Sequence, residues 1–584
     1  MERALRQPTR RGLFVHGNKK IFIRYNDNET VKKIMMTLAA VLCCWVTMTM
    51  FTACDINNVD NPVNPTVDPE EELADATILW YGCGGGNVDA SILDDFHKFY
   101  KAKPESFDRV NVVAQYKTSL NPTAYNKNDY ETVVQWADDT SKLMSEEEME
   151  NMDWKTYFFL CHPKAGESYR FAVDPKKTLR KQLLETEPYG KTNADCTNPD
   201  SLTNFINWAA KNYPAKRYIL VMADHGGGYL PHADLAEATS SPQSRAQRRG
   251  LIYDDGYNRK CFSAKSFARG VRNASVRVDG IVAYLCLMNN LEFLYEVKDV
   301  TDYIAGSTYV MWGGGSALYA IADNFAAGQD TETALSNFID ANMNNWDAEF
   351  YQSTNPNNPL YYDFTLTKTS RLNDLAPVLK EFTDRLVNTY QNGTDDQRAR
   401  IDLCTANAMK VDNGYPFYDM GRYIESLFYE LPDVYDQTFV SSMITAFNSC
   451  IVRQCHSKYL TDHHYEVDYS VMLGCEGTYV VYNYEGNGAE SKLIGAYVYY
   501  SDGKLEYYRY VDDGGDSSDG NLARYELGTT STWPSTFANT YELTTFDKLV
   551  GWSRWMYLNP ASPPAWSPSS FNFVFPEDNA IDLL

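Results

Sequence analysis

The chain has 584 residues, 44% apolar and 22% charged. That composition is globular and excludes an intrinsically disordered chain, and the length favours two folded units over one. Net charge is −24; residues 1–30 contribute +4 and Lys32 and Lys33 a further +2, leaving −30 from Cys54 onward, which excludes nucleic acid as a partner.

Residues 1–30 carry no export character and read as a spurious extension upstream of a start at Val31. The segment 31–53 has the order of a signal peptide: Lys32 and Lys33, an apolar run, then small residues. Phe51-Thr52-Ala53-Cys54 resembles a bacterial lipobox, which implies cleavage before Cys54 and a lipid anchor on that cysteine. The other reading is an uncleaved anchor, since about 20 apolar residues span a bilayer. Both readings put the body outside the cytoplasm, in the cell envelope or at the surface. Residues 54–73 are polar and rich in Pro and Asn, as in a flexible tether. Of the 12 cysteines, Cys43 and Cys44 fall in the signal, and nine others beside Cys54 are scattered. That is no disulfide scaffold.

From residue 76, apolar runs alternate with amphipathic stretches. ATILWYG (76–82) predicts a buried strand followed by the turn CGGGNVD; RVNVVAQY (109–116) and YRFAVD (169–174) predict two more. DSLTNFINWAAKNY (200–213) predicts a helix with Leu202, Phe205, Ile206 and Ala209 on one face. RYILVMAD (217–224), VDGIVAYLCLM (278–288) and DYIAGSTYV (302–310) predict further strands, with a helix over 289–300. Continuous apolar strands joined by helices imply an α/β fold with a mostly parallel sheet flanked by helices. After about residue 365 the character changes. Leu372, Leu375, Leu379, Phe382 and Leu386 mark an amphipathic helix, and GAYVYYSDGKLEYYRYV (495–511) predicts a hairpin around Asp502-Gly503. The expected division is a domain over 74–360 and an α+β C-terminal region over 361–584.

Reactive groups of open α/β sheets gather at the carboxyl ends of strands. Two of the predicted strands end in such groups, His225 and Cys286, 61 residues apart. An imidazole within hydrogen-bond reach of a thiol turns it into a nucleophile. The amides of Gly226 and Cys286 are then candidates for an oxyanion hole. On pattern alone the bland reading stays open, because a buried strand cysteine is most often a small hydrophobe.

The local sequences add to this. Asp224-His225-Gly226-Gly227-Gly228-Tyr229 resembles the histidine motif of clostripain-like cysteine peptidases. CLMNNLEFLYEVKDVTDYIAGS (286–307) resembles that family's nucleophile motif. The resemblance covers about 76–325, including DSLTNFINWAAKNYPAKRYIL, with an echo in GWSRWMYLNP (551–560). It implies a caspase-like fold and endopeptidase activity on protein or peptide substrates through a Cys/His dyad, with Cys286 as nucleophile and His225 as base and then acid. It also implies self-cleavage between the two, for which Arg245, Arg248 and Arg249 in SSPQSRAQRRGLIYDD are the candidates. Two departures stand out. The family reads Asp-Ala-Cys where this chain has Tyr284-Leu285-Cys286, and that Asp is associated with holding a basic side chain before the cut bond. Tyr284 at this specificity-pocket position supplies no negative charge at neutral pH. Ser307 is followed by Thr308-Tyr309 where the family tends to read Ser-Glu-Glu. The alternative function is a surface lipoprotein that keeps the fold and uses it for binding.

The dyad mechanism requires no cofactor. Calcium is the candidate ion at DDGGDSSDG (512–520), whose spacing differs from an EF-hand loop and whose default reading is an acidic surface loop. Cys83-Gly84-Gly85-Gly86 lacks the Gly-Lys-Ser/Thr of a phosphate loop and reads as a turn at the site's rim. Cys450, Cys455, His456, His463 and His464 crowd one segment without a common zinc spacing; a local disulfide or chance leads there, with metal the minor reading. Trp552 and Trp555 read as core.

Overall fold

The computed structural model describes residues 73–120, 165–229, 250–257, 260–311, 316–350, 362–411, 417–473, 544–556 and 558, with the strand backbones of 479–485, 492–499, 505–510 and 525–531. The signal, Cys54, the tether up to residue 72, Arg245, Arg248, Arg249 and the acidic loop 512–520 lie outside the described residues. Among those described, no helix is long and apolar enough to cross a membrane.

In chain order the strands are β1 (Ala76–Cys83), β2 (Val110–Lys117), β3 (Ser168–Ala172), β4 (Tyr218–Ala223), β5 (Leu251–Asp254), β6 (Lys260–Phe262), β7 (Gly280–Tyr284), β8 (Tyr303–Gly306), β9 (Asp363–Lys368), β10 (Phe417–Asp419), β11 (Ile451–His456) and β12 (Ser470–Met472). Eight of them form one sheet in the order β11-β9-β8-β7-β4-β1-β2-β3. The run β2-β1-β4-β7-β8 is parallel, and β3, β9 and β11 add antiparallel edges. This is the expected α/β architecture, a mostly parallel sheet between helices.

Side chains alternate across that sheet with the period of two that a strand imposes. Tyr218, Leu220 and Met222 of β4 enter one core, while Ile219, Val221 and Ala223 enter the other. Helices Pro199–Asn212, Ala264–Arg272, Leu291–Val297 and Leu372–Asn392 cover the first face. Helices Asp89–His97, Tyr319–Ala326 and Thr331–Phe350 cover the second. Helix 199–212 starts with Pro199 at a position where a missing N–H costs nothing, and the Asn198 side chain accepts from the Asp200 amide. Its Leu202, Phe205, Ile206 and Ala209 are buried as the periodicity predicts.

The boundary expected at 360/361 needs correction. β9 and β11 lie beyond it yet extend the central sheet, with Ile304 opposite Thr367 and Cys455 opposite Phe364. Antiparallel edge pairing of strands far apart in the chain leaves no local mark, so the change in character near 365 looked like a boundary. Helix 372–392 buries its predicted leucine face in the same core as β4 and β7, and Trp552 and Trp555 are buried there too. The predicted hairpin is present: β14 (Lys492–Tyr499) and β15 (Leu505–Tyr510) pair antiparallel within a four-stranded sheet, flanked by β13 (Tyr479–Glu485) and β16 (Tyr525–Ser531).

Candidate active site

Strands β4 and β7 are parallel neighbours, with Ala223 in register with Tyr284. His225 and Cys286 each follow two residues later, so both leave the sheet at its carboxyl edge at the same level. The backbones touch there: a Cβ at Gly226 would fall on the carbonyl oxygen and amide of Cys286. Only glycine permits that approach. β7 is shorter than the predicted strand because Leu287, directly after Cys286, adopts φ +62°. A left-handed leucine costs on the order of 1–2 kcal/mol and persists only where its surroundings impose it. Here the Leu287 amide donates to Tyr309 O (3.0 Å) and its carbonyl accepts from Asn290 Nδ2 (2.7 Å). The strain turns the chain sharply at the thiol.

The histidine is held from two sides. Its backbone carbonyl accepts from the Ile252 amide at 3.1 Å, and the Gly227 amide donates to Gly250 O at 2.9 Å. The chain entering β5 therefore pairs alongside 225–227, using the amides of Gly227 and Ile252 and not that of Gly226. Its ring packs edge-on against Tyr253, and Nε2 lies 2.7 Å from the Asn87 Oδ1. An amide oxygen only accepts, so Nε2 carries the proton and Nδ1 of the neutral ring has the lone pair.

Asn87 belongs to the glycine-rich turn after β1. Gly85, at φ +60°, lies so close over the Asp224 carboxylate and the His225 ring that a side chain would collide with both. The turn is thus at the rim of the site, and carboxylates of Asp89 and Asp224 line it, which leaves no phosphate cradle. Asp224 is buried, accepts from the Tyr253 amide, and is pushed well above the usual carboxylate range by desolvation. The Cys286 sulfur accepts from the Met311 amide at 3.2 Å. The same sulfur lies 3.6 Å from Met311 O, to which the thiol donates, so one residue contacts it through both amide and carbonyl.

Both side chains are nearly enclosed, His225 at 7% and Cys286 at 6% exposure. Tyr284, the expected specificity position, packs into the opposite face of the sheet against Phe364. Within β7, Tyr284 follows Val282 into that core, and Cys286 enters the other core because the strand has ended at Tyr284. Sequence reasoning passed over Asn87 and Met311. The turn position of Asn87, one strand over from His225, is visible only once β1 is known to neighbour β4.

The Cys/His-rich segment near 450–464 disperses. Cys450 and Cys455 are both free: the first donates to Ala446 O within its helix and the second to Asp340. His456 contacts Val467 O, and His463 contacts Tyr459 O. Of the two readings, a local disulfide or chance, the structure has no disulfide between these two, because Cys450 enters one core and Cys455 packs against the other. Among the described residues the one cluster with metal-ligating groups is Cys83, Cys196 and Asp254.

A family model described as the clostripain family matches residues 174–517, a span that begins after β3 and includes both His225 and Cys286. Clostripain of Hathewaya histolytica is 24% identical over 266 residues, covering 44% of this chain and 43% of its own. The chain thus spans less than half the length of that curated relative. Among solved structures, a secreted C11 cysteine protease from Bacteroides thetaiotaomicron is 18% identical, with a TM-score of 0.44 over 66% of this chain and 88% of its own. An inactive zymogen C11 protease from Parabacteroides distasonis is 12% identical, with a TM-score of 0.43 over 82% of this chain and 99% of its own.

Proposed function

The chain belongs to the clostripain family, and on that premise we propose that it is a cysteine endopeptidase acting through Cys286 and His225. The observation that carries the reading is the β4–β7 register, with the Gly226 backbone against that of Cys286. In this mechanism His225 Nδ1 takes the thiol proton, and the sulfur attacks the peptide carbonyl carbon. The amides of Gly226 and Cys286 receive the charge that develops on the carbonyl oxygen. Collapse expels the amine, which leaves with the proton from His225. Water, deprotonated by the same imidazole, then releases the acid product from the thioester. Asn87 acts through His225, holding the tautomer that presents a basic Nδ1.

Export with lipid on Cys54 belongs to this proposal and rests on the Phe51-Thr52-Ala53-Cys54 signal. So does self-cleavage near Arg245, Arg248 or Arg249. Two facts support it. The near-enclosure of both side chains suits an uncut precursor. A cut in 230–249 would leave both new ends held, since Gly227 bonds Gly250 and Ile252 bonds His225. Tyr284 favours the second reading, a binding protein on the same fold, because it removes the family's acidic side chain.

The test is peptide hydrolysis by the wild type and by Cys286→Ala and His225→Ala. Either variant should lose several orders of magnitude, since nucleophile and base act as a unit. Intact mass before and after incubation reads self-cleavage in the same samples. A wild type no more active than Cys286→Ala on any peptide or protein substrate would sink the peptidase reading in favour of binding.

A further inference from the structure

Cys83 closes β1, and Cys196 lies in the turn before helix 199–212, 113 positions later. Their sulfurs are 2.9 Å apart, and both side chains are buried. The backbone is fixed on each side. Cys83 is in register with Lys117, and the Gly84 amide donates to Lys117 O at 3.0 Å. The Cys196 amide donates to Asp254 Oδ2 at 2.9 Å, and its carbonyl accepts from the Tyr81 hydroxyl at 2.6 Å. That sulfur separation exceeds an S–S bond of about 2.05 Å by less than an ångström, between two segments whose backbones are both hydrogen-bonded in place.

We propose that Cys83 and Cys196 form a disulfide in the exported protein, tying the end of β1 to the turn that opens helix 199–212. This rests on the export reading above, because a reducing compartment would keep both thiols. The oxidant is a disulfide-bearing carrier, either a small-molecule disulfide or a thiol oxidoreductase. One cysteine thiolate attacks the carrier disulfide and releases the first carrier thiol. The second cysteine then attacks the mixed disulfide and releases the other. Two electrons and two protons pass to the carrier, and one S–S bond is gained. Burial pushes the Cys83 thiol up to about 11 and that of Cys196 well above its usual value, so the bond forms during folding, before the pair is sealed.

Asp254 lies within 4.8 Å of both sulfurs, a trio that also invites a metal ion. Lys117 argues against it. Its ammonium is 2.5 Å from Asp254 Oδ1 and buried with it, so the carboxylate already has its counter-charge. A structural zinc site also wants four ligands where three stand here. The consequence of the disulfide reaches the site: Gly84 to Asn87 hang directly from Cys83, and Asn87 holds His225.

The experiment uses the full chain purified from the cell envelope, its mature N-terminus verified at Cys54. It is denatured and treated with iodoacetamide, with and without prior reduction, and its peptides are mapped. Without reductant, the Cys83 and Cys196 peptides should appear as one linked species two hydrogens lighter than their sum, and reduction should release both. Cys286 should alkylate in both arms, as an internal control. In parallel, protein refolded in excess oxidised glutathione should give the same linked peptide, whatever the fate of export. Full alkylation of both cysteines without reductant in the processed envelope protein overturns the proposal. So does absence of the link after refolding, or one zinc per chain that is lost in Cys83→Ser. A chain that keeps its leader in the cell while the refolded protein forms the link counts against export and leaves the disulfide standing.

Discussion

The side-chain oxygen of Asn87 lies 2.7 Å from Nε2 of His225, bridging the turn after β1 to the edge of β4. A hydrogen bond to a group that becomes charged is worth about 1.5–3 kcal/mol. Asn87→Ala should therefore lower kcat/KM by about 10- to 100-fold, since each 1.4 kcal/mol is tenfold in rate. Asn87→Asp puts a carboxylate beside the ring and favours the imidazolium. The acid limb of its kcat/KM profile should move to higher pH. A residue with a purely structural role would lower activity without moving that limb.

Gly226 has no room for a side chain against the Cys286 backbone. Gly226→Ala must push β4 and β7 apart at their carboxyl ends, with an overpacking cost of about 1–3 kcal/mol. Thermal unfolding should show a lowered midpoint, and hydrolysis should fall more than in Asn87→Ala, because the amide proposed for the oxyanion moves with it. Unchanged stability and activity would mean that the close approach is not maintained.

Lys117 and Asp254 form a buried pair at 1% and 0% side-chain exposure, whereas Lys216 is 50% exposed and its partner Asp75, at 9%, also pairs with Arg109. Removing one partner of a buried pair leaves an uncompensated charge and costs about 3–5 kcal/mol. A solvated lysine contributes about 0–1 kcal/mol to a pair, and Arg109 stays beside Asp75 when Lys216 is removed. Denaturant unfolding should thus show Lys117→Ala strongly destabilised and Lys216→Ala nearly unaffected. Equal effects would contradict the burial of the first pair.

Asp419 caps helix Met420–Glu430 through the Arg422 amide and is raised to about 7, first by desolvation and further by Asp468. A carboxyl raised in the folded state binds its proton more tightly there than in the unfolded chain. Its stabilising contribution is complete below about pH 4 and is lost as pH rises through about 7. Asp419→Asn keeps the cap and removes the titration. The stability difference between variant and wild type should shift in favour of the variant by up to about 4 kcal/mol from pH 4 to pH 8. Denaturant melts at several pH values read this directly; a pH-independent difference would contradict it.

Strands β1, β2 and β4 and helix 199–212 were legible because continuous apolar runs and a 3.6-residue stripe report burial locally. The placing of His225 and Cys286 after neighbouring strands was legible for a related reason, since each follows a continuous apolar run; the β5–β6 pair between them was not. Asn87 was not, because its role depends on β1 lying beside β4, which no local pattern encodes. Met311 was missed likewise, as the segment after β8 meets Cys286 only through the turn at Leu287. The Cys83–Cys196 pair escaped because 113 positions separate the two residues. Scattered spacing argued against a disulfide scaffold, and that same argument hides a single long-range pair.

The central claim is that Cys286 is a nucleophile activated by His225. Incubation with an irreversible thiol-directed peptide ketone, followed by intact mass and peptide mapping, tests it most directly. The account predicts one adduct per chain on Cys286 in the wild type, formed orders of magnitude more slowly in His225→Ala. An adduct at another cysteine, or equal labelling rates with and without the imidazole, would contradict it.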